Sequence, residues 1–500
     1  MINNYMIILL LLIPFLGGVL QLFFTKNERL TKILMICILV INLLVSTLLF
    51  IDLENNGILV MQAGDWPAPF GITLVMDYMS AIMIFITAIV SLVSGIYVLK
   101  AVPGGHYKYR FGFMVSILLM GVNGAYLTAD VFNLYVWYEV LLMASFVMIA
   151  LGNTRRQLRG AIKYVAMNIV ASFLLLAGAG IIYGKTGSLN MAHIAHILDQ
   201  SDVSKQIASG AMLFFVSFGI KAAIFPFFFW LPSAYHTPPV GITAIFAGLM
   251  TKVGVYSLIR FFSLFMMDVI PFSKTVLLVV AGLTMVIGVF TAASQYDIRR
   301  ILSFHIISQV GYMIMGLALF SVTGVAGAIY FMVHNILAKT NTFFIGGISA
   351  KICGTYDVKK SGGLFKLYPH LGFLFLISGL ALAGIPPLSG FFGKFVLIKS
   401  GFELGEYVIS FVAIFVSLIT LFSMLKIWNE VFWKPAPEQS QCTQAKVNPG
   451  FFYYFPVVFL SILIVAMGVG AEPVFYYMEK AAMQLLDKDA YIKVVLRPGG

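Results

Sequence analysis

Acidic side chains are scarce in this 500-residue sequence: Asp and Glu number 20, and with 32 Lys and Arg the charged residues reach only 10%, against about 25% in a soluble domain. That scarcity excludes an ordinary water-soluble enzyme. Cysteine is also rare. Cys37 lies in an apolar run, and Cys353 and Cys442 lie in polar connections, a set that gives neither a disulfide framework nor a metal-ligand spacing. No feature for flavin, haem, quinone or iron–sulfur ligation is present, so no cofactor is expected and any redox chemistry would reside in partners. The polar/apolar alternation of a membrane β-barrel is missing too, because the apolar runs are continuous over about 20 residues. What is abundant is apolar surface: 60% of the residues, including 45 Phe. The solvent for most of this chain is a lipid bilayer.

At about 20 apolar residues per crossing, the sequence predicts an all-α membrane protein of about fourteen transmembrane helices. The spans fall near 5–24, 30–51, 74–99, 111–128, 130–151, 160–183, 207–231, 240–262, 273–294, 300–320, 323–348, 371–398, 406–432 and 451–471. The segment Met1 to Phe24 has neither a basic leader nor a small-residue cleavage site and is expected as an uncleaved first span. Basic residues cluster after odd-numbered spans: Lys26, Arg29 and Lys32; Lys100, Lys108 and Arg110; Arg155, Arg156 and Arg159; Arg299 and Arg300; Lys351, Lys359, Lys360 and Lys366; Lys434 and Lys446. Connections after even-numbered spans hold only Lys185, Lys205, Arg260, Lys274 and Lys399. This asymmetry predicts cytoplasmic odd connections and both termini external. The net charge of +12 is therefore topology and not a nucleic-acid footprint. One connection differs: 189–209 carries Met191, Ile194, Ile197 and Leu198 at helical spacing and reads as a short interfacial helix. Its His193 and His196, even with Asp199, lack a carboxylate-rich shell, so no metal site is expected.

An ionisable side chain at mid-bilayer costs roughly 2.5–3.5 kcal/mol on insertion scales, so each one needs a reason. Glu139 sits near the middle of the fifth span, too deep to snorkel. Lys221, Lys252, Lys339 and Lys394 lie in the seventh, eighth, eleventh and twelfth spans. Ion pairing alone would make such charges structural, yet one acid cannot pair four bases. Pro226 follows Lys221 by five residues, and Pro386 and Pro387 precede Lys394. A membrane-depth proline frees a carbonyl that lipid cannot satisfy, so such breaks persist beside cavities or under covering protein. Two breaks with two lysines, five spans apart, predict an inverted repeat relating spans 4–8 to 9–13. The corresponding divisions are 1–110 (spans 1–3), 111–262 (first repeat), 263–435 (second repeat) and 436–500 (span 14 and an external tail). Supporting polar groups follow helical spacing: Thr251 beside Lys252, His305 and Gln309 at i and i+4, and His334 five residues before Lys339.

The block Phe218-Gly-Ile-Lys221-Ala-Ala-Ile-Phe-Pro226-Phe-Phe-Phe-Trp230-Leu-Pro232-Ser-Ala-Tyr-His236, with Leu249-Met-Thr-Lys252, resembles the signature of the proton-conducting membrane subunits shared by respiratory complex I and Mrp-type cation/proton antiporters. So do Ser308-Gln-Val-Gly311-Tyr-Met, His334-Asn-Ile-Leu-Ala-Lys339 and Gly384-Ile-Pro-Pro-Leu-Ser-Gly-Phe-Phe-Gly-Lys394, and the similarity runs from about residue 70 to 430. Lys394 stands where one complex I homologue has glutamate, and Gln309 where some have histidine, which favours the Mrp side. The resemblance implies that Glu139 pairs with Lys221 and that protons pass through Lys252 and Lys339 toward Lys394. It implies a subunit of a hetero-oligomeric Na+/H+ antiporter in a prokaryotic plasma membrane, a transporter rather than an enzyme, with other subunits, protons, sodium and lipid as partners. The rival expectation is a proton-pumping subunit of complex I or a membrane-bound hydrogenase.

Overall fold

The structure is a computed structural model and describes residues 4–102, 109–200, 203–270, 272–437, 442 and 449–496. Lys108 and Lys446, counted above among the loop charges, lie outside the described residues. Almost everything described is helix: α1 (Leu9–Phe23), α2 (Glu28–Asn56), α3 (Tyr78–Ala101), α4 (Phe111–Leu127), α5 (Val131–Ala150), α6 (Arg155–Thr186), α7 (Met191–Gln200), α8 (Ser204–Ala222), α9 (Trp230–Tyr235) and α10 (Val240–Phe261). Then come α11 (Ser273–Ser294), α12 (Ile298–Leu319), α13 (Val322–Cys353), α14 (Pro369–Ala383), α15 (Ser389–Glu403), α16 (Tyr407–Ile427), α17 (Phe451–Val469), α18 (Ala471–Leu486) and α19 (Lys488–Leu496). Among the described residues eleven helices are long and apolar enough to cross a membrane, and α4 and α14 are shorter apolar helices.

In six of the spans burial runs opposite to hydropathy. The spans containing α10, α12 and α13 are 94%, 94% and 89% buried over their most apolar windows, yet their mean hydropathies are only 1.6, 1.5 and 1.2. Helices α6, α11 and α16 are 39% buried, with values of 2.2, 2.5 and 2.6. In lipid the outside of a bundle must be apolar, whereas the inside accepts polar groups that find partners. The inner helices α10, α12 and α13 carry Lys252, His305, Gln309, His334 and Lys339, all fully buried.

Three local features depart from the sequence reading. Residues 74–76, expected to begin the third span, are a strand: β1 (Leu59–Gln62) pairs antiparallel with β2 (Thr73–Met76), Leu59 opposite Met76 and Gln62 opposite Thr73. Asp77 then starts α3 as an N-cap, accepting from the Ser80 amide while the Ser80 hydroxyl bonds the Asp77 amide. The residues expected as an external tail form α18 and α19, which bury Met478, Ala481, Leu485, Tyr491 and Val495. Cys353 and Cys442, read as unconnected, are disulfide-bonded; they lie 89 residues apart, a separation from which no spacing rule infers contact.

The two ends of the bundle are built differently. At one end the hairpin, α7, α18 and α19 are stitched together: Thr73 Oγ1 donates to Gln62 Oε1, Gln62 Nε2 donates to the Val495 carbonyl, and Lys488 pairs with Asp199 at 2.7 Å. The Asp199 contact holds the Lys488 ammonium above the usual lysine range. Helix α7 falls within the connection expected to hold a short helix; on it His196 contacts Gln200 and Asp199 pairs with Lys488. At the other end Ile298 N donates to Tyr356 O, Val358 N to Tyr296 O, and the Arg299 guanidinium lies 3.6 Å from the Tyr356 ring centroid.

Candidate functional site

Both expected breaks are present, and each sits beside its lysine. Helix α8 stops one residue after Lys221: Ala223 takes a left-handed conformation (φ 59°), Pro226 follows, and helix resumes at Trp230. At this end the Ile220 carbonyl accepts the Ala223 amide at 3.1 Å and also the Trp230 indole N–H at 2.9 Å, so the segment after the break covers the helix end. Helix α14 stops at Ala383 with Gly384 at φ 90°, and α15 begins at Ser389 after Pro386 and Pro387. Here the lysine itself covers the break. Lys394 Nζ donates to the last α14 carbonyls, Leu382 and Ala383, both at 3.0 Å. A side chain at 384 would strain that backbone and press on the Lys394 Cδ at 2.9 Å, so glycine is required there. A cation on helix C-terminal carbonyls is the favourable end of the dipole.

The other amines are held without carboxylates. Lys252 Nζ donates to Ala247 O at 2.8 Å, with Thr251 beside it leaving its hydroxyl unpartnered. Lys339 Nζ reaches Leu302 O of the neighbouring α12 at 3.5 Å. Lys221 Nζ lies 4.2 Å from the Tyr138 ring centroid and 3.4 Å from Ser172 Oγ. It borders a cavity of about 20 Å³ shared with Asn168 and Tyr164, about the size that admits one water. Glu139 lies within charge–charge reach of Lys221. Among the described residues no ion pair joins them, and Glu139 Oε1 has no hydrogen-bond partner.

The structure brings the second set of residues into one cluster. His334 is within charge–charge reach of Lys394, Lys339 and Lys252, and His305 of Lys339, Lys394 and Lys426. His334 Nδ1 contacts Ser389 Oγ, the first residue of α15 after the Pro386–Pro387 break, at 2.8 Å. His305 Nε2 contacts Ser423 Oγ of α16, also at 2.8 Å. The second ring nitrogen of each histidine finds no protein partner, nor do both amide atoms of Gln309 and of Asn335 and the Ser308 hydroxyl. An unpartnered buried polar atom costs about 1–3 kcal/mol, so this stretch favours small hydrogen-bonding guests such as water.

One charged pair escaped the sequence reading. Arg260, counted as a connection residue, is inside the bundle: its guanidinium pairs with Asp77 at 2.5 Å, and the two side chains are 6% and 2% exposed. Arg260 also donates to Tyr256 Oη at 3.2 Å, and Tyr256 in turn donates to Tyr126 O at 2.6 Å. Lys252, Tyr256 and Arg260 stand at i, i+4 and i+8 on α10, one face of the helix. That spacing from Lys252 was the available signal.

The family described as NADH:quinone oxidoreductase/Mrp antiporter, TM, matches residues 128–420. Over 494 residues the chain is 44% identical to a Na(+)/H(+) antiporter subunit of Alkalihalophilus pseudofirmus, covering 99% of this chain and 100% of that one. Its fold superposes on a chain in the structure of the Mrp complex from Dietzia sp. DQ12-45-1b with a TM-score of 0.91, at 28% identity and 99% and 100% coverage. A chain of the membrane-bound sulfane sulfur reductase, an archaeal respiratory membrane complex, gives 0.89 at 25% identity and 98% and 99% coverage.

Proposed function

The chain belongs to the NADH:quinone oxidoreductase/Mrp antiporter membrane family, and from that membership we propose that it is the proton-translocating subunit of a multi-subunit Na+/H+ antiporter, exchanging cytoplasmic sodium for external protons. The observation that carries the proposal is the arrangement of the buried amines. Lys252, Lys339 and Lys394 rest on main-chain carbonyls, Lys221 rests on a ring and a hydroxyl, and unpartnered polar atoms of Thr251, His305, Gln309, His334 and Asn335 lie on the helices that carry Lys252 and Lys339 and on the adjoining α12. A structural charge would be locked in an ion pair with its remaining donors satisfied. These groups have room to exchange a proton with a neighbour.

In this reading Glu139 acts through its charge on Lys221, and its approach and withdrawal drive the proton toward Lys252, then Lys339 and Lys394. His305, His334 and Gln309 supply the bridging groups, and Thr251 is the hydroxyl beside Lys252. The breaks at Pro226 and at Pro386–Pro387 mark corresponding places in two inverted repeats, spans 4–8 and 9–13. Counting α4, α8 and the α14–α15 pair as crossings gives fourteen, with both termini external by the distribution of loop arginine and lysine. In this reading sodium crosses elsewhere in the assembly, since among the described residues no group of carboxylates is assembled around Glu139.

The test is sodium-driven pH change in inverted vesicles without NADH, comparing wild type with Glu139→Ala and Lys221→Ala. Both variants are expected to assemble normally and to lose exchange. Wild-type exchange in both would sink the mechanism. The likeness to a respiratory complex favours a second reading, a pumping subunit of a redox enzyme. Co-purification from native membrane decides between them: small hydrophobic subunits support the antiporter, and iron–sulfur subunits support the enzyme.

A further inference from the structure

At the end of the bundle rich in loop arginines, the start of α6, the residues after α9 and the first turn of α12 enclose a cavity of about 370 Å³. Arg155, Arg156, Arg159, Lys163 and Arg300 line it. Among the described residues the one carboxylate ion-paired to this group is Asp297, 3.6 Å from Arg156 and also paired with Arg299 at 3.3 Å. Among the described residues the side chains of Arg155, Arg159, Lys163 and Arg300 make no ion pair or hydrogen bond. His236 completes the wall; its Nδ1 lies 2.6 Å from Pro232 O, and burial, aided by the nearby arginines, pushes its imidazole down to about 4. It adds no charge at neutral pH, so the positive charge is fixed.

Unpaired arginines in one concave site mark a place for a multivalent anion, and phosphate oxygens match the guanidinium fork. Their position on the helix narrows the choice. Directly after Arg159 the same helix turns a strongly exposed apolar face outward: Ile162 is 66% and Phe173 67% exposed, with Ile169 and Val170 between them. Lys163 sits at the boundary between that face and the pocket, where a long basic side chain reaches a headgroup while its stem lies on apolar surface. A soluble anion has no use for the apolar strip. A ligand with a phosphate at one end and acyl chains at the other fits both.

We propose that this pocket holds the phosphate of an anionic phospholipid whose acyl chains lie along α6. The site is independent of the buried lysines and of the transport reading. It is tested on the full-length chain in its purified, delipidated complex, by native mass spectrometry and by thermal stabilisation with dioleoyl phosphatidylglycerol, dioleoyl phosphatidylcholine or inorganic phosphate. Arg159→Gln/Lys163→Gln/Arg300→Gln removes three exposed, unpaired charges and disturbs no packed residue; Lys185→Gln/Lys205→Gln/Lys274→Gln removes three exposed charges at the opposite end, of which Lys274 pairs with Glu406. With each basic group near an anionic surface contributing on the order of a fivefold change, affinity for phosphatidylglycerol is expected to fall at least tenfold in the first variant and to stay unchanged in the second. Phosphatidylcholine is expected to bind weakly to both. Unchanged phosphatidylglycerol retention in the first variant overturns the proposal, as it would if an acidic segment of a neighbouring subunit filled the pocket. Inorganic phosphate stabilising as well as the lipid overturns it in favour of a free anion.

Discussion

Removing the charge from Asp77 is the sharpest test of how this bundle holds its interior charges. Asp77→Asn is well suited to it, because Oδ1 remains to accept the Ser80 amide at 2.9 Å and asparagine is as good an N-cap as aspartate. Only the partner of Arg260 is lost. That guanidinium is 6% exposed and would keep the Tyr256 hydroxyl at 3.2 Å and the faces of Tyr256 and Tyr491, 5.5 and 5.3 Å away. Ring faces and one hydroxyl do not replace a carboxylate, and a buried charge left without its partner costs about 3–5 kcal/mol. This corresponds to roughly a hundred-fold to a few thousand-fold shift in an unfolding equilibrium. Arg260→Gln should cost a similar amount by stranding Asp77. The double variant should cost far less than the sum, because it leaves two neutral groups able to bond each other. Reversible unfolding in bicelles, followed through the four members of the cycle, measures the coupling. A single-variant cost below about 1 kcal/mol would mean the pair behaves as a hydrated surface bridge, and additive costs would mean the two residues do not interact. Either result refutes the reasoning.

Two further outcomes follow from packing and titration. Gly390→Ala would place a Cβ 1.9 Å from the Ala381 carbonyl and 2.8 Å from His334 Nε2, so it is expected to destabilise by about 1–3 kcal/mol or more and to lower exchange, whereas Gly180→Ala, facing open space on α6, should be neutral or stabilise by up to about 1 kcal/mol; thermal melts of both check this. His236 has a folded pKa near 4 against an ordinary 6.5, so the unfolded chain binds the proton first and stability must drop as pH falls from about 7 toward 4, on the order of 2 kcal/mol by pH 5. His236→Asn should flatten that part of the stability profile, and an unchanged profile would show that His236 is accessible to protons in the folded state.

The apolar runs revealed the helices because lipid enforces a simple rule on them. The lysines were visible for the same reason: four charges inside such runs have no bland explanation. The hairpin was hidden, since Thr73–Met76 is a short apolar stretch whose periodicity does not separate strand from helix, and it abuts the run of α3. Arg260 was misplaced because α10 continues through a π-turn at Phe262–Met266, so the buried part of that span reaches beyond the expected end. The resemblance suggested a closed Glu139–Lys221 pair; rotamers, which place Lys221 against Tyr138 and Ser172, are invisible to sequence. The contacts of α18 and α19 depend on Gln62 of the hairpin and Tyr78 of α3, more than 400 positions earlier, which no local pattern encodes.

Helix α13 draws part of its polar complement from the last apolar helix: Asn341 Nδ2 donates to Ser378 of α14 and Ser461 of α17, and the Tyr330 hydroxyl donates to Met467 O. A ribosome that has just made Asn341 must add 120 residues before Ser461 exists, a delay of roughly 6–24 s at 5–20 residues per second. Through that interval the centre of the bundle carries amide and phenol groups whose final partners have not been synthesised. Membrane insertion of this protein is therefore a holding problem as much as a threading problem.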